Sequence, residues 1–598
     1  MIKKNKVKRR GTTLTWIGVV EGYRPYPGAA PKQRTIKSFG YLEDQEDQEA
    51  FMKMVEEFDA TYKRNEIDYE IQVSSTIKMY SKDNQCLNYG YKFLESIYND
   101  LDMSGFIKNF LKISGNRCKF EVEKIFKFLV ISRILKPDSK RATFQLKDNY
   151  YDLPSNFTLK EVYRALDVID HFNFDLQEHL NEKVQKRIGR DVSNIFYDVT
   201  NYYFEIDHPK TADDLRQKGV SKEHRVDPIV GMGLASDMNG LPVSMSVFSG
   251  NTGESTTLKP IIEEVKNSYN VGRMVVVADK GINSSANMDA LVNKGDGFVF
   301  SQILKGTKGQ RYHDKLFDET GWIENKDNSY RYKMFDEEYV GINDERKKET
   351  RIRRVLLYWD KDNATRSERK RNEKLEKAAR SVKNNAYGIK KGVDEYTKEE
   401  IMDKETGEIY ENIKKIKSLN IEKAEKDAKF DGYFCIVTSE LDYSEKRIRQ
   451  VYNGLWRVEQ SFRIMKSDLY ARPVFVGTNN HIRAHFLICF TALLITRIIQ
   501  HYMGEAMISA ERIATVLNSC TCRSLKGGLV MLDDVGGAIS FKQRLDKYGN
   551  LVDTLEHSTE DEIANDFKIF QQLFGVDFSQ VYHKKEKFNK ILKSISVS

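Results

Sequence analysis

The chain has 598 residues, of which 40% are hydrophobic and 11% aromatic, and its formal net charge at pH 7 is +8. A chain this apolar is not intrinsically disordered, and its length predicts several domains. Its six cysteines form no CxxC pair and no Cys/His set with zinc spacing. This excludes a disulfide scaffold and the common structural zinc sites, and it indicates free thiols in a reducing cytoplasm.

Basic residues are concentrated in a few parts of the chain. The first ten residues include Lys3, Lys4, Lys6, Lys8, Arg9 and Arg10. Further basic runs extend over Arg346–Arg354 and Arg366–Lys391. Such clusters can neutralise DNA phosphates and release counterions, but a solvated helix face or a loose tail would account equally well for any one of them.

The first 190 residues predict a small β/α region followed by a helical one. Thr13–Val20 and Gln33–Tyr41 have the pattern of short strands, and Gln48–Arg64 is predicted to be a helix. From about Tyr91 to Arg190 the spacing of the apolar residues is helical. These helices could recognise DNA, but a purely structural role fits their pattern equally well.

Strand patterns follow, and two of them carry an aspartate. Asn194–Glu205 contains Asp198, and Arg273–Asp279 ends on Asp279. Because a carboxylate within or at the end of an apolar strand is costly to desolvate, it is expected to be paired or bound to a metal. Neighbouring strands would bring the two carboxylates together.

The segments around these strands predict alternating strands and helices. Asp227–Asp237 and Leu241–Gly250 predict a hairpin, because the Asn-Gly pair between them accepts a positive φ. Helices are predicted over Thr257–Tyr269 and Ser284–Asn293, and a strand over Gly297–Gln302. This order permits an antiparallel start to a sheet, followed by parallel strands.

A third carboxylate, Glu459, lies in a segment predicted to be one helix over Ser444–Lys466. Tyr452, Glu459, Arg463 and Lys466 fall on one face of that helix at 3.6 residues per turn. A core-facing stripe would be apolar there, although a salt-bridged amphipathic helix could have the same mixture. The long segment before this helix predicts an inserted domain, because a loop of that length would be improbable.

Asp198, Asp279 and Glu459 together predict a metal site. Carboxylates are hard oxygen ligands, which suit Mg²⁺ or Mn²⁺ better than zinc. Two such ions are one standard means of driving phosphoryl transfer on nucleic acid. Lys280 and Lys466 are candidate phosphate contacts beside these carboxylates. The alternative for either residue is an ordinary solvent-exposed lysine.

Four stretches of the sequence, in order, resemble transposases of the IS4-type DDE superfamily, closest to the IS1634 group. They are FYDVTNYYFE, DMNGLPVSMSVFSGNTGES, VVVADKGINS and YNGLWRVEQSFRIMKSDLYARPVFV, the last followed by HIRAHFLICFTALLI. The resemblance implies an α/β fold, with an RNase H-like catalytic domain and a β-rich insertion between the second Asp and the Glu. It also implies that Asp198, Asp279 and Glu459 are the catalytic, metal-binding DDE triad.

The chain departs from the family's signature at one position. That signature is Tyr, two residues, Arg, three residues, Glu, six residues and Lys; Tyr452, Glu459 and Lys466 match it, but Leu455 stands at the Arg position. Arg457 is about 200° further round a helix and is not expected to substitute. Proteins of this superfamily often form a hairpin intermediate, in which an aromatic residue of the insertion holds a flipped base. Trp322 and Trp359 are candidates, with core packing as the alternative.

Patterns and resemblance together predict six regions. They are a basic arm with a small β/α region (1–75), a helical, possible DNA-binding domain (76–190), the first part of the RNase H-like domain (191–309), the inserted domain (310–429), the second part of the RNase H-like domain (430–500) and a helical C-terminal region (501–598).

The expected function is cut-and-paste transposition. The protein would bind the ends of an insertion sequence, cleave the DNA with Mg²⁺ or Mn²⁺, and join the 3′ ends to target DNA, with Tyr452, Arg463, Lys466 and Lys280 as DNA contacts. Two alternatives stay open: an RNase H-like nuclease without strand transfer, and a catalytically silent DNA-binding derivative. Pairing of two DNA ends predicts a homodimer on DNA.

The expected location is the bacterial cytoplasm, with nucleoid association when the protein is bound to DNA. The longest apolar stretch, Phe486–Ile499, is interrupted by Thr491, Thr496 and Arg497. It falls short of the roughly 20 residues needed to span a bilayer. We therefore predict a core helix there and no membrane role.

Overall fold

The computed structural model contains two compact units, residues 1–79 and 80–598. The structure describes residues 2–9, 12–23, 32–45, 47–61, 85–116, 118–209, 211–220, 227–269, 272–383, 396–402, 414–525, 527–535, 541–545, 551–555 and 559–597. Arg10, the predicted boundary after residue 75 and the end of the basic run at 384–391 lie outside these residues. The six predicted regions therefore stay predictions.

The N-terminal unit is a three-stranded antiparallel sheet with one helix. The strands are β1 (Ile2–Arg9), β2 (Thr12–Tyr23) and β3 (Lys32–Tyr41), in that order across the sheet, and the helix is α1 (Gln48–Thr61). Ile17 and Val19 of β2 pack against Phe51 and Val55 of α1 to form a small core. The two predicted strands and the helix are confirmed, apart from residues 62–64, which lie outside the described residues.

The predicted basic arm is a strand. Every residue of β1 pairs with β2, from Ile2 opposite Val19 to Arg9 opposite Thr12. The basic composition of this segment concealed its strand character, because lysine is depleted in strands and periodicity shows only in apolar positions. Backbone hydrogen bonds to β2 hold this segment in a strand, and its composition gives no sign of that pairing.

Helices and strands alternate through the larger unit. Its helices are α2 (Tyr91–Asp100), α3 (Met103–Ile113), α4 (Val122–Leu135), α5 (Lys140–Gln145), α6 (Leu159–His171), α7 (Asn173–Ile188), α8 (Leu258–Tyr269), α9 (Ser285–Asn293), α10 (His313–Phe317), α11 (Lys361–Lys383), α12 (Ile421–Ala428), α13 (Glu445–Asn453), α14 (Trp456–Ser467), α15 (Asn479–Met503), α16 (Ala510–Ser519), α17 (Thr559–Leu573) and α18 (Lys585–Ser594). Its strands are β4 (Leu87–Asn88), β5 (Asn194–Tyr203), β6 (Ile229–Ser236), β7 (Pro242–Ser249), β8 (Val275–Ala278), β9 (Gly297–Ser301), β10 (Ile323–Glu324), β11 (Tyr330–Ile342), β12 (Lys348–Asp360), β13 (Thr397–Met402), β14 (Lys414–Leu419), β15 (Tyr433–Thr438), β16 (Thr521–Leu525), β17 (Leu529–Leu532), β18 (Phe541–Leu545), β19 (Leu551–Leu555) and β20 (Tyr582–Lys584).

A nine-stranded mixed sheet forms the middle of this unit. Its strand order is β7-β6-β5-β8-β9-β15-β12-β11-β10. Strands β6 and β7 form the predicted hairpin, β6 is antiparallel to β5, and β8 and β9 run parallel to β5, an order that the sequence permitted. The protein is therefore a mixed α/β structure, and strands β10 to β12 of the predicted insertion continue this same sheet.

The two faces of the sheet are buried against different elements. On β5, Phe196 and Tyr202 belong to the large core that also contains α4, α6 and α15, whereas Tyr197 and Val199 belong to a second core with α8 and α9. Because side chains alternate along a strand, Asp198 points to the face of Phe196 and Tyr202.

The helix predicted over Ser444–Lys466 is broken into α13 and α14. At the break, the N–H groups of Gly454 and Leu455 bond to carbonyls three residues earlier, which tightens the chain. A Cβ atom at Gly454 would lie 2.3 Å from Cζ of Phe196. The Phe196 ring on β5 thus occupies the space that a larger side chain at position 454 would need.

The C-terminal region, predicted to be helical, also contains strands. Strands β16, β17 and β20 form a four-stranded sheet with β4, far away in sequence. In β16 and β17 alternate residues such as Cys522, Val530 and Leu532 are buried. Runs of four or five residues are too short for this alternation to outweigh the neighbouring helix patterns.

Among the residues that the structure describes, one helix is long and apolar enough to cross a membrane, by length and composition only. It spans Asn479–Ala506, and 94% of its most apolar window is buried inside the protein. Its α-helical part, α15, packs against α4 and α6. The prediction of a core helix in this segment is confirmed.

Candidate active site

Asp198 lies within β5, and Asp279 directly follows the neighbouring strand β8. In the parallel pairing of β5 with β8, Tyr197 is opposite Ala278. The residues that directly follow this last pair along the chain are Asp198 and Asp279. Asp198 is half-buried and Asp279 is exposed. The two strands are therefore neighbours, which is the arrangement on which the predicted approach of the two carboxylates depends.

Two hydroxyl groups hold Asp279. Ser301, at the end of β9, donates from Oγ to Oδ1 of Asp279 at 2.6 Å. The Tyr452 hydroxyl, on α13, donates to the same oxygen at 3.2 Å. Burial, followed by the Asp279 carboxylate, raises the pKa of Tyr452, so the phenol keeps its proton and remains a donor.

Ser301 is not among the site residues that the sequence predicted. Its only signal in the sequence is that a polar residue closes the apolar run Gly297–Phe300. Its position beside Asp279 depends on the pairing of β8 with β9, in which Ala278 lies opposite Phe300. A carboxylate oxygen that accepts two hydrogen bonds has a restricted orientation, which is how outer hydrogen bonds orient a metal ligand.

Glu459 lies in the first turn of α14, which packs along β5. At one end of this contact the Arg457 guanidinium is 5.9 Å from the Phe196 ring, and at the other Nζ of Lys466 is 5.6 Å from the Tyr202 ring. Asp198 lies between Phe196 and Tyr202 along β5, on the face that α14 covers.

The break between α13 and α14 corrects the prediction of one continuous face. Tyr452 lies on α13, while Glu459, Arg463 and Lys466 lie on α14. Glu459 and Lys466 still share a side of α14, because seven residues are close to two turns. Tyr452 reaches the site from the other helix, through its bond to Asp279.

The three carboxylates do not form a closed metal cage. Within the part of the chain that the structure describes, no group of three or more His, Cys, Asp or Glu side chains is arranged to hold a metal ion. The donor set nevertheless fits Mg²⁺, which binds proteins through one or two carboxylates and keeps several waters. Asp198 and the residue after β8, Asp279, are the predicted pair, and the predicted third ligand, Glu459, lies on α14, which packs along β5.

The predicted DNA contacts differ in exposure. Lys280 and Arg463 are exposed, whereas Lys466 is half-buried against Tyr202. All three are cations close in sequence to a carboxylate of the predicted triad. Cations at such positions suit contacts with the phosphates of a DNA backbone.

A buried apolar residue stands at the position of the signature arginine. Leu455 is buried, with 7% of its surface exposed, and belongs to the large core. The side chain of Arg457 packs instead against the hairpin turn, where a Cβ atom at Gly240 would lie 3.3 Å from it. That Arg457 does not take over the role of the signature arginine stays a prediction.

The two candidate tryptophans have structural contacts. The Trp322 indole donates to the Asp318 carbonyl at 2.9 Å, and the Arg331 guanidinium lies 4.8 Å from its ring. The Trp359 indole donates to the Asp431 carbonyl at 3.1 Å. Each ring N–H is thus satisfied within the protein, which agrees with the packing alternative.

Two family models match the chain. One describes a transposase DDE domain and matches residues 210–495, a range that contains Asp279 and Glu459 but not Asp198. The other describes the N-terminal domain of IS1634 family transposases and matches residues 2–67. No curated protein matches the chain.

A solved structure, the cryo-EM structure of the piggyBac transposase synaptic complex with hairpin DNA, is similar at 9% sequence identity and a TM-score of 0.33. The similarity covers 72% of this chain and 78% of that chain, and so low a TM-score does not establish a shared fold. The matched DDE domain implies divalent-metal use and DNA substrates. The chain belongs to the DDE transposases, as an IS4-like member close to IS1634.

Proposed function

We propose that this transposase cleaves the ends of its insertion sequence and joins them to target DNA at a site built from Asp198, Asp279 and Glu459. The observation that carries the proposal is the parallel pairing of β5 with β8, whose last pair, Tyr197 and Ala278, directly precedes Asp198 and Asp279. These carboxylates would hold Mg²⁺ or Mn²⁺. The bound ions would activate water or a 3′-hydroxyl and stabilise the leaving oxygen.

The catalytic domain is proposed to be RNase H-like. Strands β7, β6 and β5 form an antiparallel set, followed by β8 and β9 parallel to β5. This sheet order supports the proposal, with the aspartates on its central strand and on that strand's neighbour. Residues 310–429 are the proposed insertion, whose strands β11 and β12 extend the sheet.

The protein side chains position the reactants. Ser301 and Tyr452 orient the Asp279 carboxylate through Oδ1. Lys280, Arg463 and Lys466 are the proposed contacts to the DNA phosphates, whose charge they offset by charge-assisted hydrogen bonds. Together these groups would hold the scissile phosphate in line for displacement, which is the main requirement of phosphoryl transfer.

The proposed assembly is a homodimer on DNA, because cut-and-paste transposition pairs two ends. The proposed location is the bacterial cytoplasm, with nucleoid association while DNA is bound. Both follow from the DNA substrates that the DDE domain implies.

The test is Mg²⁺-dependent cleavage of the DNA that flanks this protein's own coding segment. Wild type should cleave at the inverted repeats and form strand-transfer products, while Asp198→Ala and Asp279→Ala should bind DNA without cleaving it. Asp314→Ala, at an exposed position on α10, is the matched control and should remain active.

The products separate the alternatives. Cleavage without joined product would indicate a nuclease. Binding without cleavage by wild type, with Mn²⁺ also tried, would indicate a silent DNA-binding derivative. Unfolding of Asp198→Ala or Asp279→Ala would show that the residue has a structural role.

A further inference from the structure

Arg497, in the core helix α15, binds the helix that carries Glu459. Its guanidinium donates to the Arg457 carbonyl at 3.2 Å, to Oε1 of Gln460 at 3.1 Å and to Oγ of Ser461 at 3.0 and 3.3 Å. All three acceptor residues belong to α14. These hydrogen bonds therefore hold the residues on both sides of Glu459 in the chain.

Ion pairing does not account for Arg497. Its hydrogen bonds in the described part of the chain go to neutral oxygens, the last of them to Oε1 of Gln500 at 3.1 Å. Only 7% of the residue is exposed. Burial, followed by the charges of Arg463 and Arg457, lowers the pKa of Arg497 to about 10. A buried cation without a carboxylate partner is costly to desolvate, so the residue carries a cost that an apolar side chain would not.

The contacts of Arg497 fix the rotation of α14 about its axis. Ser461 is fully buried and lies about 200° round the helix from Glu459, so Arg497 holds the side of α14 that faces away from the carboxylate. The Ser461 hydroxyl also donates to the Arg457 carbonyl at 3.0 Å. Because a side-chain tip lies about 5–6 Å from the helix axis, a rotation of about 10° would displace it by about 1 Å.

We propose that Arg497 is a positioning residue, which holds α14 in the rotation that directs Glu459 to the metal site. The proposal rests on the proposed function, in which Glu459 is a metal ligand. Groups that orient a metal ligand contribute about 10–100-fold to metal affinity or activity. A displacement of about 1 Å at a reacting group can cost about 100-fold in rate.

A purely structural role for Arg497, in which it only ties α14 to α15, gives a different expectation. Arg497→Met removes the buried charge and the hydrogen bonds to α14, and it keeps an apolar side chain at the position. With a structural role, the free energy of unfolding falls while the folded molecules keep wild-type metal affinity. With a positioning role, the folded molecules bind metal more weakly.

The experiment measures three quantities on the full-length protein. They are Mn²⁺ affinity by electron paramagnetic resonance, the rate of Mg²⁺-dependent cleavage, and the free energy of unfolding in urea. The variants are Arg497→Met, Arg497→Lys, Ser461→Ala and Glu459→Gln. The matched control is Arg483→Met, which removes an arginine of the same helix that binds Asp170 on α6 instead of α14.

Arg497→Met should bind Mn²⁺ about tenfold more weakly and cleave about tenfold more slowly. Arg497→Lys should recover part of both losses, because an ammonium group can still donate to Ser461. Ser461→Ala should also weaken Mn²⁺ binding, and it should add little to Arg497→Met, since the two residues act through one contact. Arg483→Met should lose stability, because Asp170 is left without its partner, but it should keep wild-type Mn²⁺ affinity.

Wild-type Mn²⁺ affinity and cleavage in folded Arg497→Met would overturn the proposal, and so would an equal loss of Mn²⁺ affinity in Arg483→Met. If Arg497→Met does not fold, wild-type Mn²⁺ affinity in Ser461→Ala would overturn it. The proposed function has a separate readout, the loss of cleavage in Glu459→Gln. If that variant is inactive while Arg497→Met behaves as wild type, the proposal for Arg497 is wrong and the proposed function stands.

Discussion

The Ser301 hydroxyl lies 2.6 Å from Oδ1 of Asp279 and donates a hydrogen bond to it between neighbouring parallel strands. Tyr452 donates to the same oxygen from α13. The orientation of this carboxylate therefore depends on the sheet and on a covering helix. Any change in either element is transmitted to the proposed metal ligand.

Removing the Ser301 hydroxyl should weaken metal use. In Ser301→Ala the Asp279 carboxylate loses its shorter hydrogen bond, so the Mg²⁺ concentration for half-maximal cleavage should rise by about tenfold or more. Ser301→Thr keeps the hydroxyl and should stay near wild type. Cleavage is measured across a Mg²⁺ titration, and an unchanged midpoint for Ser301→Ala would contradict the assigned role.

Tyr452→Phe removes the longer hydrogen bond but keeps the ring. We expect a smaller shift in the Mg²⁺ midpoint than for Ser301→Ala, and little change in thermal stability. Because both hydroxyls act on one oxygen, the shift of the Mg²⁺ midpoint in the double variant should differ from the sum of the shifts in the two single variants. Titration of all four proteins gives the coupling, and additive shifts would show that the two hydroxyls act independently.

Gly454→Ala should disturb the junction of α13 and α14. The new Cβ would lie 2.3 Å from Cζ of Phe196, so the ring or the helix must move. Overpacking of this kind costs about 1–3 kcal/mol of unfolding free energy. Gly272→Ala is the control, because a methyl group at that position would have no other atom within 4 Å. Urea unfolding gives the free energy of unfolding of both variants. Equal values for the two variants would contradict the predicted steric clash with Phe196.

Glu264 on α8 should make stability depend on pH. Burial raises its pKa from the ordinary value of 4.5 to about 7, against hydrogen bonds from Ser244 and Ser246. The folded state thus holds a proton that the unfolded state releases. This contribution to stability is complete below about pH 4.5 and is lost as pH rises through about 7.

Glu264→Gln removes this titration while keeping the shape of the side chain. The free energy of unfolding of this variant, relative to wild type, should rise between pH 5 and pH 8. The rise should be about 3 kcal/mol at most. Denaturant unfolding at the two pH values measures the gain. An equal difference between the proteins at both pH values would show that Glu264 does not titrate in this range.

Much of the secondary structure was predictable because its signals are local. The apolar run before Asp279 and the Asn-Gly turn before Leu241 identified strands and a hairpin that the structure contains. Local patterns failed where composition conceals pairing, as in β1, and where one glycine interrupts a helix, as at Gly454. In each case a distant segment decides the conformation.

The sequence by itself determined the family, the candidate triad of acidic residues and most of the strands and helices, because motifs and periodicity depend on neighbouring residues. Only the tertiary structure decided that the strand of Asp198 pairs with the strand that precedes Asp279, that Ser301 donates a hydrogen bond to Asp279 and that Leu455 is buried. Strand order and register follow from contacts between segments far apart in sequence, and periodicity within one segment does not specify its partner.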